Sequence, residues 1–78
     1  MVTNHLLPLS ALRKGERGTI IKLEEGDLSL KLMEMGCLPG QVISIEKIAL
    51  LGDPISIKVG SYFLSLRKEE ADAVLVSR

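Results

Sequence analysis

Histidine and cysteine, which often bind metals or take part in catalysis, are scarce in this chain. It contains one histidine, His5, and one cysteine, Cys37, and nothing pairs with either residue at the spacing of a metal site. A single cysteine cannot form an internal disulfide, which favours a reducing compartment for so small a domain. We therefore predict no metal site and no cofactor, and we expect Cys37 to serve as a small apolar filler.

No catalytic set can be assembled from these residues. His5 precedes the first predicted element, so no rigid surroundings would orient it beside a nucleophile and an acid. The acidic run of Glu24, Glu25 and Asp27 is typical of a solvated loop. The glycines around Pro39 lack the lysine and the flanking strand and helix of a phosphate-binding loop, so they indicate a turn. We predict that the chain is not an enzyme.

Charge and hydropathy exclude two further classes. Ten basic and ten acidic residues among 78 give a formal net charge of zero, which removes the positive field that phosphate binding needs. We therefore predict no nucleic acid partner. No apolar run approaches the ~20 residues of a membrane span, so we predict no direct membrane insertion. The single cysteine, which favours a reducing compartment, agrees with a cytoplasmic location.

The elements that must position any site are mostly short strands. β-Branched residues predict strands near residues 18–22 and 41–49, and the alternation of Ile55, Ile57 and Val59 predicts a half-buried strand. Two more strands follow, over residues 62–66 and 74–76. The polar residues between them, 67–73, predict a single turn, and the mixed charges of residues 67–70 indicate that it is solvated. Between the first two strands, Leu28, Leu32 and Met35 recur at helical spacing and predict a helix with these residues on its core face. Asp27 is its predicted cap and Gly36 its predicted end.

The predicted fold class is therefore mainly β: a small SH3-like barrel of about five short strands with one inserted α-helix. An open α+β sheet is the structural competitor. Aromatic residues make up only 3% of the chain, so Ile, Leu and Val must form the core. We divide the chain into a flexible N-terminal segment, residues 1–8, and one domain, residues 9–78.

Apolar side chains on the predicted helix and at a predicted hairpin tip are candidates for binding a partner. Leu30 and Met33 lie on the helix side opposite the predicted core residues, and Leu50 and Leu51 lie at a predicted hairpin tip. The alternative is that residues 6–12 fold back and cover these leucines. Asp53, at the tip, has an alternative role as an acceptor for a nearby backbone amide. The candidate partner-binding residues are Leu30, Met33, Leu50, Leu51, Gly52 and Asp53.

Four segments in register resemble one family. They are residues 15–18 (GERG), 32–40 (LMEMGCLPG), 51–55 (LGDPI) and 64–71 (LSLRKEEA). Together they look like ferrous iron transport protein A, the FeoA family, over nearly the whole chain. The sequence departs from the family pattern at Leu50, which replaces a proline, and at Leu30 and Lys31, where the family is often more basic.

The resemblance implies an SH3-like barrel in a bacterial cytoplasm and a partner in FeoB, the membrane Fe(II) permease with a cytoplasmic GTPase domain. On that basis the chain is a non-enzymatic accessory or regulatory module of ferrous iron uptake, and self-association stays open. The alternative is an SH3-like metal-sensing domain of the iron-dependent repressor type. Against it stand the zero net charge and the lack of room for a DNA-reading domain.

Overall fold

The structure, a computed structural model, describes residues 5–78 and arranges six short strands in one antiparallel sheet. The strands follow one another in the spatial order β1-β6-β2-β3-β4-β5. The strands are β1 (Leu7–Pro8), β2 (Arg17–Leu23), β3 (Val42–Ile48), β4 (Ile55–Val59), β5 (Tyr62–Leu66) and β6 (Val74–Ser77). The helices are α1 (Asp27–Met35) and α2 (Lys68–Asp72), with 3₁₀ turns at Leu9–Ala11 and Leu50–Gly52.

This arrangement confirms the predicted fold class and adds to it. The inserted helix α1 lies between β2 and β3 as expected. The sheet has one strand more than predicted, β1, and α2 forms where the sequence predicted only a single turn. Among residues 5–78, neither helix is long and apolar enough to cross a membrane.

Branched aliphatic residues of the central strands form the core. Ile55, Ile57 and Val59 are all buried, which confirms the alternation predicted for β4. Ile57 pairs with Ile45 of β3, so two buried isoleucines meet across the strands. Burying each such side chain stabilises the fold by about 1.5–3 kcal/mol. The buried apolar residues are Leu9, Leu12, Ile20, Leu32, Cys37, Ile43, Ile45, Ile55, Ile57, Val59, Leu66, Ala71, Val74 and Val76.

The N-terminal part of the described chain belongs to the sheet and the core. Leu7 and Pro8 pair with Val76 and Leu75 of β6, so ordered structure begins before residue 9. Residues 1–4 of the expected flexible segment lie outside the described residues, and the boundary itself stays a prediction. Leu9 and Leu12, on the following turn, are buried.

This placement decides the alternative in which residues 6–12 cover the exposed leucines. Leu30 is 61% exposed, Leu50 90% and Leu51 95%. The N-terminal residues pack into the core and pair with β6 instead. The covering alternative is therefore wrong for these three leucines.

Helix α1 follows the predicted phase. Leu32 is fully buried, and Leu28 and Met35 pack against the core. Gly36 ends the helix in the left-handed region, with φ 107°. The predicted cap is wrong, because Asp27 is the first helical residue and its side chain caps nothing. Gly26 takes the capping position, where no Cβ opposes its φ of 141°.

Candidate protein-interaction surface

The tip of the β3–β4 hairpin places two adjacent leucines in water. Leu50 is 90% exposed and Leu51 is 95% exposed. Leu51 also has φ 71° and ψ 10°, and it is the only non-glycine residue of the described chain with a positive φ. An L-residue in this region costs about 1–2 kcal/mol. The tip therefore combines exposed apolar side chains with backbone strain at Leu51.

Hydrogen bonds hold the base of this tip in place. The amide of Ala49 donates to the carbonyl of Pro54 at 3.0 Å, and the amide of Gly52 donates to the carbonyl of Ala49 at 2.8 Å. The Asp53 carboxylate accepts from the amide of Lys68, the first residue of α2, at 3.2 Å. Asp53 thus accepts from a backbone amide, as its alternative role required, but the amide comes from a distant helix.

The outer face of α1 presents the two other apolar candidates. Leu30 is 61% exposed and Met33 is 41% exposed, while Leu32 between them is fully buried. The exposure expected of Leu30 and Met33 is therefore present in the structure. That they bind a partner stays a prediction, as it does for the residues of the tip.

Helix α2 is connected to both α1 and the hairpin tip. The Lys31 ammonium of α1 lies 2.7 Å from a Glu70 carboxylate oxygen, and the other Glu70 oxygen accepts from the amide of Arg67 at 2.8 Å. The Lys68 amide that donates to Asp53 lies two residues before Glu70. Helix α2 therefore has one polar contact with α1, through Lys31, and one with the hairpin tip, through Asp53.

Glu70 is the buried charged residue at this junction. It is only 3% exposed, and the hydrogen bond from Lys31, followed by the one from the Arg67 amide, holds its pKa below the ordinary value. The Cys37 thiol is buried nearby, and burial, followed by the charge of Glu70, raises its pKa. A thiol with a raised pKa is a poor nucleophile, which agrees with the packing role expected of Cys37.

The sequence analysis missed this junction. It interpreted residues 67–70 as a solvated turn. A glutamate three residues after a helix cap is a known signal of a helix start, but Arg67 is not a usual capping residue. Nothing local in the sequence indicates that the Glu70 partner is Lys31 of another helix.

The sequence analysis also missed a groove on the outer face of the sheet. Tyr62 and Phe63, the only two aromatic residues, are 71% and 67% exposed on β5. The Lys58 ammonium lies 5.7 Å from the centre of the Phe63 ring, within cation–π range. Beside them is a groove of about 250 Å³, which we call the sheet groove. Its lining residues are Arg17, Val42, Ile43, Ser44, Lys58 and Gly60.

Metal ligands are not gathered at any of these places. Within residues 5–78, no group of three or more His, Cys, Asp and Glu side chains is close enough to hold a metal ion. His5 is exposed. The candidate sites therefore consist of apolar side chains, hydrogen bonds and two surface cations.

Comparison with solved structures defines the class of protein. A Stenotrophomonas maltophilia FeoA complexed with zinc, described as a prokaryotic SH3 domain protein, superposes with a TM-score of 0.78 at 23% identity, over 88% of this chain and 87% of that one. At this identity the likeness shows the fold alone. The fold is therefore SH3-like and mainly β.

The family follows from the sequence comparisons. The FeoA domain family matches residues 7–78, and this chain belongs to that family. A fusion of Fe(2+) transport protein A with the Fe(2+) transporter FeoB, from Porphyromonas gingivalis, is 33% identical over 69 residues. Iron(II) transport protein A from Clostridium thermocellum is 44% identical, with a TM-score of 0.84. The family resemblance found in the sequence is confirmed.

Two of these relatives extend well beyond the shared domain. The match to the fusion covers 87% of this chain but only 8% of the fusion protein. The match to the Clostridium thermocellum protein covers 91% of this chain and 44% of that one. In the fusion, a FeoA domain and a ferrous iron transporter occur in one polypeptide.

Proposed function

We propose that this chain is a non-enzymatic accessory module of bacterial ferrous iron uptake. In this proposal it works in the cytoplasm and binds the cytoplasmic part of the FeoB permease through the hairpin tip and the outer face of α1. The observation that carries the proposal is Leu51, which is 95% exposed and has a left-handed backbone. Strain and apolar exposure at one residue are a known feature of binding sites.

The fused relative supports FeoB as the partner. Joining two binding modules in one chain makes their association intramolecular and raises their effective concentration, to the millimolar range for a short linker. Tethered or not, the association needs a complementary surface on this domain. Leu50 and Leu51 of the tip and Leu30 and Met33 of α1 are exposed apolar residues suited to that purpose.

The geometry of the tip suits insertion into an apolar groove of the partner. Burying a leucine side chain is favourable by about 1.5–3 kcal/mol. Leu50 and Leu51 project from a turn whose base is held by hydrogen bonds within the hairpin and by the Asp53 bond to α2. Since the turn is already ordered in the free protein, binding loses little further backbone entropy.

Leu51→Glu tests this proposal. At a solvated tip the substitution should change the free energy of unfolding by less than about 1 kcal/mol. In a partner's apolar groove, an unpaired carboxylate should weaken binding by roughly a hundredfold. The measurement is the affinity for the purified permease, with and without GTP, together with a melting curve.

Ile21→Glu is the matched control, because Ile21 is an exposed apolar residue on β2, 44% exposed, away from the tip. The proposal requires that this control still binds the permease. If Leu51→Glu is folded and binds as well as the wild type, the tip is only a connection. Leu30→Glu and Met33→Glu would then show whether the α1 face alone forms the interface. Absence of any complex with the wild-type chain would refute the proposal.

A further inference from the structure

The sheet groove carries a second inference, which rests on the proposed function. We propose that the groove and the adjacent Phe63 bind an extended segment of the permease that carries a carboxylate next to an apolar side chain. This surface is distinct from the hairpin tip. The tip joins the end of β3 to the start of β4, whereas the groove lies at the start of β3 and the end of β4.

Strand register puts a defined row of side chains on this face. Arg17 pairs with Ser44, Ser44 pairs with Lys58, and Lys58 pairs with Phe63. Directly paired residues of antiparallel strands lie on the same face. The row therefore presents, in order, a cation, a hydroxyl, a second cation and an aromatic ring. It ends at β5, which is the last strand of the sheet and which, within residues 5–78, has only β4 as a strand neighbour.

The two cations of this row are unpaired. The ion pairs of residues 5–78 are Lys31 with Glu70, Lys68 with Asp72, and Arg78 with Glu16. No carboxylate lies within ion-pair distance of Arg17 or Lys58 in the described chain, and none lines the groove.

The remaining carboxylate near the row is Glu46. It accepts a hydrogen bond from the Ser44 hydroxyl at 3.0 Å, so it neutralises part of the charge at one side. One net positive charge remains among these side chains. The complementary ligand is therefore anionic.

The exposed apolar residues beside the row indicate which group the ligand carries next to its carboxylate. Val42 lies two residues before Ser44 on β3, on the same face, and it is 52% exposed. Phe63 adds an exposed ring at the other side of Lys58. Exposed aromatic and β-branched residues beside cations favour an apolar side chain flanking an acidic one.

The spacing of the two cations agrees with binding of a single carboxylate. Arg17 and Lys58 are two strand spacings apart, about 10 Å, and both side chains are long enough to converge on one carboxylate above Ser44. A phosphate-rich polymer is a weaker fit, because the chain as a whole has a formal net charge of zero and offers no extended positive surface.

The test compares two groove variants with a charge-matched control. Lys58→Glu reverses a cation of the row, Phe63→Ser removes the ring, and Lys22→Glu makes the same charge change at the far end of β2. Affinity for the detergent-solubilised permease is measured for each variant at low and high salt. A cooperative melt and an amide NMR spectrum establish that each variant is folded, and Lys58→Gln replaces Lys58→Glu if the latter is not.

We expect Lys58→Glu to weaken binding by about tenfold or more and to reduce the salt dependence of the affinity. Phe63→Ser should weaken binding by a similar factor but leave the salt dependence unchanged. Lys22→Glu should bind as the wild type does. This pattern supports a specific carboxylate contact at the groove.

Two results would overturn the inference while leaving the proposed function intact: wild-type affinity in Lys58→Glu, or an equal loss in Lys22→Glu, which indicates a diffuse charge effect. In either case Leu51→Glu would still weaken the complex. If the wild-type chain forms no complex at all, the proposed function fails, and this inference fails with it.

Discussion

Two regions of the molecule depart from the usual rule that charged side chains are exposed and apolar ones are buried. They are the hairpin tip and the α2 junction, which is formed by Lys31, Arg67 and Glu70. At the junction a carboxylate is buried, with Glu70 only 3% exposed. At the tip two leucines lie in water, at 90% and 95% exposure. The informative features of a surface are buried polar groups and exposed apolar ones, and this chain has both, connected through Asp53 and the start of α2.

The two regions differ in whether their unusual side chains have contacts within the fold. The Glu70 carboxylate has internal partners for both oxygens, Lys31 and the Arg67 amide, so its burial is explained within the fold. Leu50 and Leu51 have no comparable contacts, and Leu51 adds backbone strain. We infer that the buried carboxylate serves stability and that the exposed leucines serve association. The predictions below test this separation, from the largest expected effect to the smallest.

Ile57→Ala should have the largest effect on stability, because Ile57 is fully buried at the centre of β4. It lies between the tip and the sheet groove. Truncating a buried isoleucine costs about 2–5 kcal/mol, a large part of the roughly 5–15 kcal/mol that stabilises a typical domain. Urea unfolding of the variant should show this loss. The neighbouring Ser56→Ala, on the other face of the strand, should change stability by less than about 0.5 kcal/mol. Equal effects of the two substitutions would contradict the strand's phase.

Glu70→Gln should destabilise the fold by about 1–3 kcal/mol, because glutamine can still accept from the Arg67 amide but loses the charged bond to Lys31. The folded-state pKa of Glu70 lies below the ordinary value of 4.5. Its contribution is therefore fully present above that value and is lost as the pH falls through the lower, folded-state pKa.

The measurement is the free energy of unfolding of wild type and Glu70→Gln between pH 7 and pH 3. The difference between the two proteins should shrink as the pH falls. Glu16 also has a lowered pKa, through the hydrogen bond from the Arg13 amide and then the one from Arg78. The same titration on Glu16→Gln is therefore a positive control, in which the difference from wild type should also shrink as the pH falls. A difference that stays constant with pH would show that the charge of Glu70 is not what stabilises the junction.

Features coded by neighbouring residues were predictable from the sequence. The alternation in β4 and the helical spacing in α1 gave the correct buried faces. The exposure of Leu30 and Met33 followed from the face of α1, and that of Leu50 and Leu51 from the predicted hairpin tip. Local periodicity carries this information without knowledge of the tertiary fold.

Features that depend on pairing between distant residues were not predictable. Strand β1 has two residues, and only its pairing with Val76 and Leu75 makes it a strand. Glu70 and Lys31 lie on different helices, and the groove row draws one residue from each of four strands. Because a register shift of one residue would move each side chain to the other face, such a row cannot be read from sequence alone.

Leu51→Gly gives the smallest and most specific test of the comparison. Glycine removes the left-handed strain of about 1–2 kcal/mol but loses about 0.5–1 kcal/mol more conformational entropy on folding. The net result should be a domain more stable by about 0.5–1 kcal/mol that binds the permease more weakly than the wild type.

Leu50→Gly is the matched control, since Leu50 is equally exposed but has no positive φ. It should lose about 0.5–1 kcal/mol and also bind less well. Urea midpoints and permease affinities of both variants measure these changes. If Leu51→Gly destabilises the domain as much as Leu50→Gly does, the tip stores no strain. If instead Leu51→Gly stabilises the domain without weakening the complex, the strain has no connection with association, and the separation between the junction and the tip fails.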